Sequence, residues 1–175
     1  MRENLASTLE VRAEHAGDEK AIYDLTERAF APMPFSQGNE QDLVNMLRDH
    51  DALTLSLVAK QDDKIAGHIA FSPAFPDDGS DGWFALGPVS VEPELQKLGV
   101  GSQLIRHGLN ILRERNAIGC ILVGNPDYYK RFGFEAAPES CPDGEPSEYF
   151  QMIVFQGQKP EQIIHFHKLF HAEAS

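Results

Sequence analysis

With 27 acidic and 15 basic side chains among 175 residues, the chain carries a formal charge of −12, which excludes broad attraction to nucleic acid or to an anionic membrane, because both need basic surface to neutralise phosphates. At 42% hydrophobic and 24% charged it can bury one core, and residues 1–175 fit the size of a single domain. No run approaches the roughly 20 apolar residues of a membrane span, and MRENLASTLE lacks the apolar core of a secretory signal, so a soluble cytoplasmic protein is expected.

A short strand from about Leu9 to Arg12 leads through HAGDEK to a helix. Asp18 stands where it can cap that helix, and Ile22, Leu25 and Ala29 follow at helical spacing. APMPFSQGN breaks it at two prolines and a glycine. A second helix runs from Glu40 to about Asp49, with Leu43, Val44 and Leu47 on one face. LTLSLVAK and KIAGHIAFS flank the polar turn QDD and predict a β-hairpin. The Pro-, Asp- and Gly-rich loop PAFPDDGSDG precedes a strand from Trp83 to Val91. A glycine turn then opens a helix from about Val100 to Arg115. IGCILVG reads as a short strand buried on both faces. NPDYYKRFGF predicts a turn, one or two helical turns and a strand start; EYFQMIVFQ is a late strand, and QIIHFH is a candidate for another. The order predicts a mixed α/β domain with an antiparallel first half. Loops at 31–39, 73–82 and 136–147 are the expected sites of mobility and substrate-facing variation.

The chemistry concentrates at Gln96-Lys97-Leu98-Gly99-Val100-Gly101-Ser102. A helix start presents backbone N–H groups without internal partners and about half a positive charge, so it receives anions. Glycine there admits a phosphate close to the backbone and takes a positive φ where a turn demands it. Lys97 adds local charge. A P-loop would need G-x-x-x-x-G-K-[ST], and a dinucleotide fingerprint a third glycine and a distal acid; the sequence supplies neither. The strand before the turn also carries Pro88 and is followed by Pro93, unlike the first strand of a dinucleotide-binding unit.

VEPELQKLGVGSQLI closely resembles the [QR]-x-x-G-x-[GA] signature of the GNAT superfamily of acetyltransferases, with Gln96, Gly99 and Gly101 at its defining positions. GHIAFSP, LGPVSVEPELQKLGVG, GNPDYYKRFGF and EYFQM resemble its YhbS-like branch, in the same order, over residues 66 to 152. The resemblance implies the GNAT fold: a mostly antiparallel sheet flanked by helices and splayed between the fourth and fifth strands, Trp83 to Val91 and IGCILVG. It implies acetyl-CoA as co-substrate, with its pantetheine arm in the splay, and an amine acceptor. It places Val89, Ser90 and Val91 beside the arm, and the backbone from Leu98 to Ser102 around the pyrophosphate. No metal is implied, and relatives often form homodimers.

Acyl transfer from a thioester needs a deprotonated amine, a donor for the oxyanion and a proton for the departing thiolate. By the same resemblance Tyr129 in YYKRFGF is the acid, with Tyr128 beside it, and Asn125 contacts the pantetheine. Asn125 lies four positions before the tyrosine where many relatives have seven. A tyrosine, with an ordinary pKa of about 10, keeps its proton at neutral pH. For the base, WFALGPVSV offers no carboxylate. Glu92, Glu40, His68 and a relay of water are the alternatives. Asp77, Asp78 and Asp81 read as a solvated loop, or as an attraction for a cationic amine. His165, His167 and His171 read as a polar strand face and terminal tail. Cys120 reads as buried and Cys141 as exposed, and neither joins a disulfide framework or zinc motif.

Overall fold

The computed structural model describes residues 9–171; most of the amino-terminal stretch considered above for a secretory signal lies outside them. The chain runs β1 (Leu9–Ala13), α1 (Glu19–Phe30), α2 (Glu40–Asp49), β2 (Leu55–Gln61), β3 (Lys64–Pro73), β4 (Phe75–Pro76) and β5 (Trp83–Val91). It continues through α3 (Val100–Glu114), β6 (Gly119–Val123), the single turn α4 (Pro126–Tyr129), β7 (Glu135–Ala136), β8 (Phe150–Val154) and β9 (Ile164–His165). Seven strands form one sheet in the order β1-β2-β3-β5-β6-β8-β7. Every pair in it is antiparallel except β5 with β6, which is parallel. β4 and β9 make a separate small ladder.

Strand alternation sends the two halves of the core to opposite faces of the sheet. Leu57, Ile69 and Phe71 meet Val100, Leu104, Ile105, Leu109 and Leu112 of α3. Val58, one residue on from Leu57, meets Ile22 of α1 and Val44 of α2. α3 lies very close to the sheet. A Cβ on Gly108 would stand 2.3 Å from the Phe71 ring, and one on Gly67 would stand 2.8 Å from Val100 Cγ1.

Two expectations need correction. Asp18 occupies the position before α1 but does not cap it with its side chain; its carboxylate takes Arg12 Nη1 at 2.8 Å and the N–H of His15 at 2.7 Å instead. A guanidinium donor, charged where a backbone N–H is neutral, holds the carboxylate more strongly than the helix N–H groups would. The loop PAFPDDGSDG is not simply solvated either, because it carries β4 and the anchors of β9. Asp77 accepts from His165 Nε2 at 2.7 Å, and Asp78 exchanges two bonds with Gln162. Neither aspartate is a free attractor of amines.

The α1/α2 face of the sheet also holds a polar chain. Arg48 of α2 grips Glu14 through two bonds, 2.7 and 3.0 Å. Ser56 Oγ donates to Glu14 at 2.8 Å, and His68 Nε2 lies 2.8 Å from the same Oγ. Ser56 has one hydroxyl hydrogen and the carboxylate takes it, so Nε2 of His68 carries the proton. Nδ1 is then a bare acceptor, fully buried and without a partner. Burial disfavours the imidazolium and pushes His68 down to about 4, with Arg48 adding to the effect and Glu14 opposing it. Partial burial opposes the charge on Glu14, but the bonds from Arg48 and Ser56 outweigh it and hold its pKa below the ordinary value.

Two outcomes follow from this packing. Gly108→Ala destabilises by about 1–3 kcal/mol in denaturant unfolding despite alanine's better helix propensity, because the added methyl overlaps Phe71. His68 gives a pH signature. The unfolded chain protonates it near its ordinary value of 6.5 and the folded chain only near 4, so the unfolded state binds more protons between them and stability falls as pH drops through that window. The loss approaches about 3 kcal/mol. Urea unfolding at several pH values finds it in the wild type and finds the slope diminished by about one proton in His68→Gln.

Candidate active site

β5 and β6 pair only over Trp83–Ala85 with Gly119–Ile121 and then part, while β6 stays bonded to β8 through Val123. The direction of the freed groups on β5 follows from alternation. The N–H of Glu92 donates to Ala66 O of β3 at 2.8 Å, so Ser90, two residues back, also turns its backbone toward β3, and Val89 and Val91 turn theirs into the gap. Val91 O already accepts Gln96 Nε2 at 3.2 Å. The N–H and C=O of Val89 and the N–H of Val91 line the opening. Ser90 does not join them. Its side chain is buried against α1, with Oγ 3.3 Å from Thr26 Oγ1, because adjacent strand residues face opposite ways.

The turn beyond β5 is fixed by the same glutamine. Its amide ties the loop back to the strand end, and Lys97 and Gly99 then take left-handed backbone at φ 67 and 95. Gly99 is the residue before α3; a side chain would strain that φ. Its carbonyl accepts the N–H of Gln103 at 3.1 Å, and the N–H groups of Val100, Gly101 and Ser102 form the open end of the helix. Val100 offers only its backbone, since its side chain is buried under Gly67. Lys97 and Leu98 are exposed.

α4 completes the opposite wall. Asn125 Oδ1 caps it by accepting the N–H of Asp127 at 2.9 Å, which leaves the Asn125 amide hydrogens for other use. Tyr128 reaches across to α3: a Cβ on Gly101 would lie 3.3 Å from its hydroxyl. Tyr129 packs where β6 ends, since a Cβ on Gly124 would lie 2.6 Å from its ring. The Tyr128 ring meets it edge-on at 5.0 Å, with Phe134 at 6.0 Å. Burial raises the Tyr129 hydroxyl well above its ordinary pKa, with Tyr128 and Cys120 adding to the effect. The contact of Tyr128 with Gly101 joins residues 27 positions apart and left no trace in local periodicity.

The candidate bases are otherwise engaged. Glu92 is held by Arg28 through two bonds, 2.8 and 3.1 Å. Glu40 accepts from Ser36 Oγ at 2.6 Å and from the N–H of Gln37 at 3.3 Å, which pins the α1–α2 loop. His68 is fully buried. A cleft of about 1120 Å³ lies between α1 and the β2–β3 turn, and four of the charged groups that line it are joined in the pairs Arg12–Asp18 and Arg28–Glu92. Cys120 is buried, and Cys141 is partly covered rather than exposed. Burial raises both thiols above their ordinary pKa, and neighbouring acids raise Cys141 further. Among the described residues no three of His, Cys, Asp and Glu converge as metal ligands, and no helix is long and apolar enough to cross a membrane.

Residues 19–134 match the Acetyltransferase (GNAT) family. The uncharacterized N-acetyltransferase YhbS of Escherichia coli K12 is 36% identical over 104 residues, 59% of this chain and 62% of that protein, so the match spans less than two thirds of YhbS. The uncharacterized N-acetyltransferase YjhQ of the same strain is 36% identical over 139 residues, 77% of this chain and 75% of its own. Among solved structures, a GNAT family acetyltransferase from Brucella melitensis in complex with acetyl-CoA superposes with a TM-score of 0.83 at 42% identity, covering 93% of this chain and 97% of that one. YhbS from Escherichia coli in complex with CoA superposes with a TM-score of 0.85 at 28% identity, covering 95% and 94%. A mostly antiparallel sheet that opens at its one parallel pair, a glycine turn at the end of the opening, and these matches place the chain in the GNAT acetyltransferase family.

Proposed function

We propose that the protein is an N-acetyltransferase that moves the acetyl group of acetyl-CoA to a primary amine by direct attack in a ternary complex. The observation that carries this reading is the opening between β5 and β6, with the free backbone groups of Val89 and Val91 on one wall. An extended ligand with amide groups can continue the ladder there as an added strand would. The pantetheine arm has such amides, and the backbone from Leu98 to Ser102 then meets the pyrophosphate at the helix start. The acetyl-CoA and CoA complexes of the two structural relatives support the assignment.

Acetyl-CoA supplies an activated thioester carbonyl for the amine to attack. The N–H of Val89 is the donor nearest in kind to what a developing oxyanion needs. Tyr129 holds a proton that burial keeps in place across the neutral range, available to the departing thiolate. Asn125 keeps its amide hydrogens for the arm. With Glu40 and Glu92 committed to local bonds, water carries away the proton of the amine. That commitment also favours a second reading, a CoA-binding sensor with little turnover.

Calorimetric titration with acetyl-CoA, free CoA and NADH tests the cofactor assignment. Both CoA species bind and NADH does not; folded protein that ignores acetyl-CoA would sink the proposal. Thiol release from acetyl-CoA over a panel of amines separates the two readings. An enzyme turns over with some amine, and Tyr129→Phe lowers kcat by about 100-fold or more while the Kd for acetyl-CoA changes by less than about threefold. Tight binding with no thiol release from any amine supports the sensor.

A further inference from the structure

Gln151 of β8 is a buried polar side chain with no part in the site described above. The residue is 1% exposed, and its backbone is held in two ladders at once, opposite Leu122 of β6 and Ala136 of β7. Residues opposite each other in an antiparallel pair share a face, so the side chain stands with Leu122 on the α3 side of the sheet. From there its Nε2 donates to the carbonyl of Gly124 at 2.9 Å and to the carbonyl of Tyr149 at 3.3 Å. Tyr149 O also takes the N–H of Gly124 at 3.0 Å. The amide therefore closes the ladder just past its end, where β6 leaves the sheet for α4. Gly124 is the residue over which Tyr129 packs, so closely that a Cβ there would lie 2.6 Å from the Tyr129 ring. The next residue, Asn125, is extended at φ −74 and ψ 115, as the proline after it requires, and its carbonyl accepts the N–H of Tyr129 at 3.1 Å. Gly124 thus reaches Tyr129 twice, directly under the ring and through one stiff residue.

From these contacts we infer that Gln151 is a positioning residue for Tyr129, holding the end of β6 where the phenol can serve the departing thiolate. The inference rests on Tyr129 as the acid, as read above. Gln151 touches no substrate and gives up no proton. Its two bonds fix where Gly124 lies, and a reacting group displaced by about 1 Å loses on the order of 100-fold in rate. Glutamine suits the task because one NH2 group supplies hydrogens for two carbonyls. It also stays neutral, so its burial carries no unpaired charge into the core.

A double-mutant cycle with Tyr129→Phe tests this on the whole protein, using an amine that supports thiol release from acetyl-CoA. Gln151→Met keeps the length of the side chain and removes the donor. It lowers kcat by about 10-fold or more, while the calorimetric Kd for acetyl-CoA changes by less than about threefold. In the Tyr129→Phe background the same change costs less than about twofold in kcat, because the group it positions is gone. Gln156→Met is the control. Gln156 Nε2 bridges the carbonyls of Asn116 and Ala117 before the other end of β6, at 2.9 and 3.2 Å, and its loss leaves kcat unchanged. Circular dichroism and melting confirm that each variant is folded; should Gln151→Met fail to fold, Gln151→Asn, which keeps the amide but shortens its reach, gives the same pattern. Fluorine NMR of protein labelled with 3-fluorotyrosine reads the geometry without an acceptor, since the chain has four tyrosines. The signal missing from Tyr129→Phe is that of Tyr129, and it shifts in the Gln151 variant but not in Gln156→Met. A Tyr129 signal that stays in place, an unchanged kcat in the Gln151 variant, or a kcat loss as large in the Tyr129→Phe background as in wild type overturns the inference and leaves the acid role of Tyr129 standing. So does a parallel loss of acetyl-CoA binding, since Gln151 would then support the groove as a whole. Wild-type kcat in Tyr129→Phe itself overturns the acid role, and the inference with it.

Discussion

A strand that stops pairing inside a sheet leaves backbone N–H and C=O groups without partners, at about 1–3 kcal/mol for each one sealed from water. β5 does this beyond Ala85, in the middle of a seven-stranded sheet. The arrangement is stable only because the freed groups face an opening and because β5 is secured along every other side. β3 pairs with it on the far edge, Gln96 takes the carbonyl of Val91, and Glu92 at its end is clamped to α1 by Arg28. The same gap that would weaken an ordinary sheet leaves backbone groups open to pairing.

Close packing places the groups around that gap. α3 approaches the sheet at Gly67 and Gly108, where no side chain would fit without displacement, so its first turn is delivered to the end of β5 instead of standing off from it. Gly101 and Gly124 admit the two tyrosines of α4 in the same way, Tyr128 toward the helix start and Tyr129 toward the end of β6. One residue pair thus serves two ends of the groove. Burial raises the Tyr129 hydroxyl further above its ordinary pKa, and Tyr128 is the platform for Arg131.

The opposite face carries a different design. Buried Thr26, Ser90 and His68 and the partly buried Ser56, Glu14 and Arg48 form a polar layer under α1 and α2. His68 is the tension in it, since its Nδ1 is an acceptor with no donor. A buried neutral histidine of this kind leaves the folded state unaffected by proton binding at neutral pH and opposes it in acid. The layer also shows why a histidine on a strand is weak evidence for catalysis: its surroundings, invisible in the local sequence, seal it from any substrate.

Much of the architecture was legible in order. The hairpin, the Trp83 to Val91 strand, both early helices and α3 follow from period-2 and period-3.6 patterns that solvent exposure imposes residue by residue. The glycine turn was legible too, because Gly99 takes a left-handed φ that glycine meets best. β4 was not, since a two-residue strand has no period, whereas β9 falls inside the candidate strand QIIHFH. Nor were the side-chain partners. Asp18 turned to Arg12, Ser90 turned to Thr26, and Asp77 and Asp78 turned to β9, each choice made between residues distant in the chain or facing away from the expected contact. The sequence by itself determined the family, the strand that opens and the glycine turn at the start of α3, because these depend on local backbone chemistry. Only the tertiary structure decided which carboxylates are already spent and which tyrosine faces which end, because those are outcomes of competition among groups that meet only when the chain is folded.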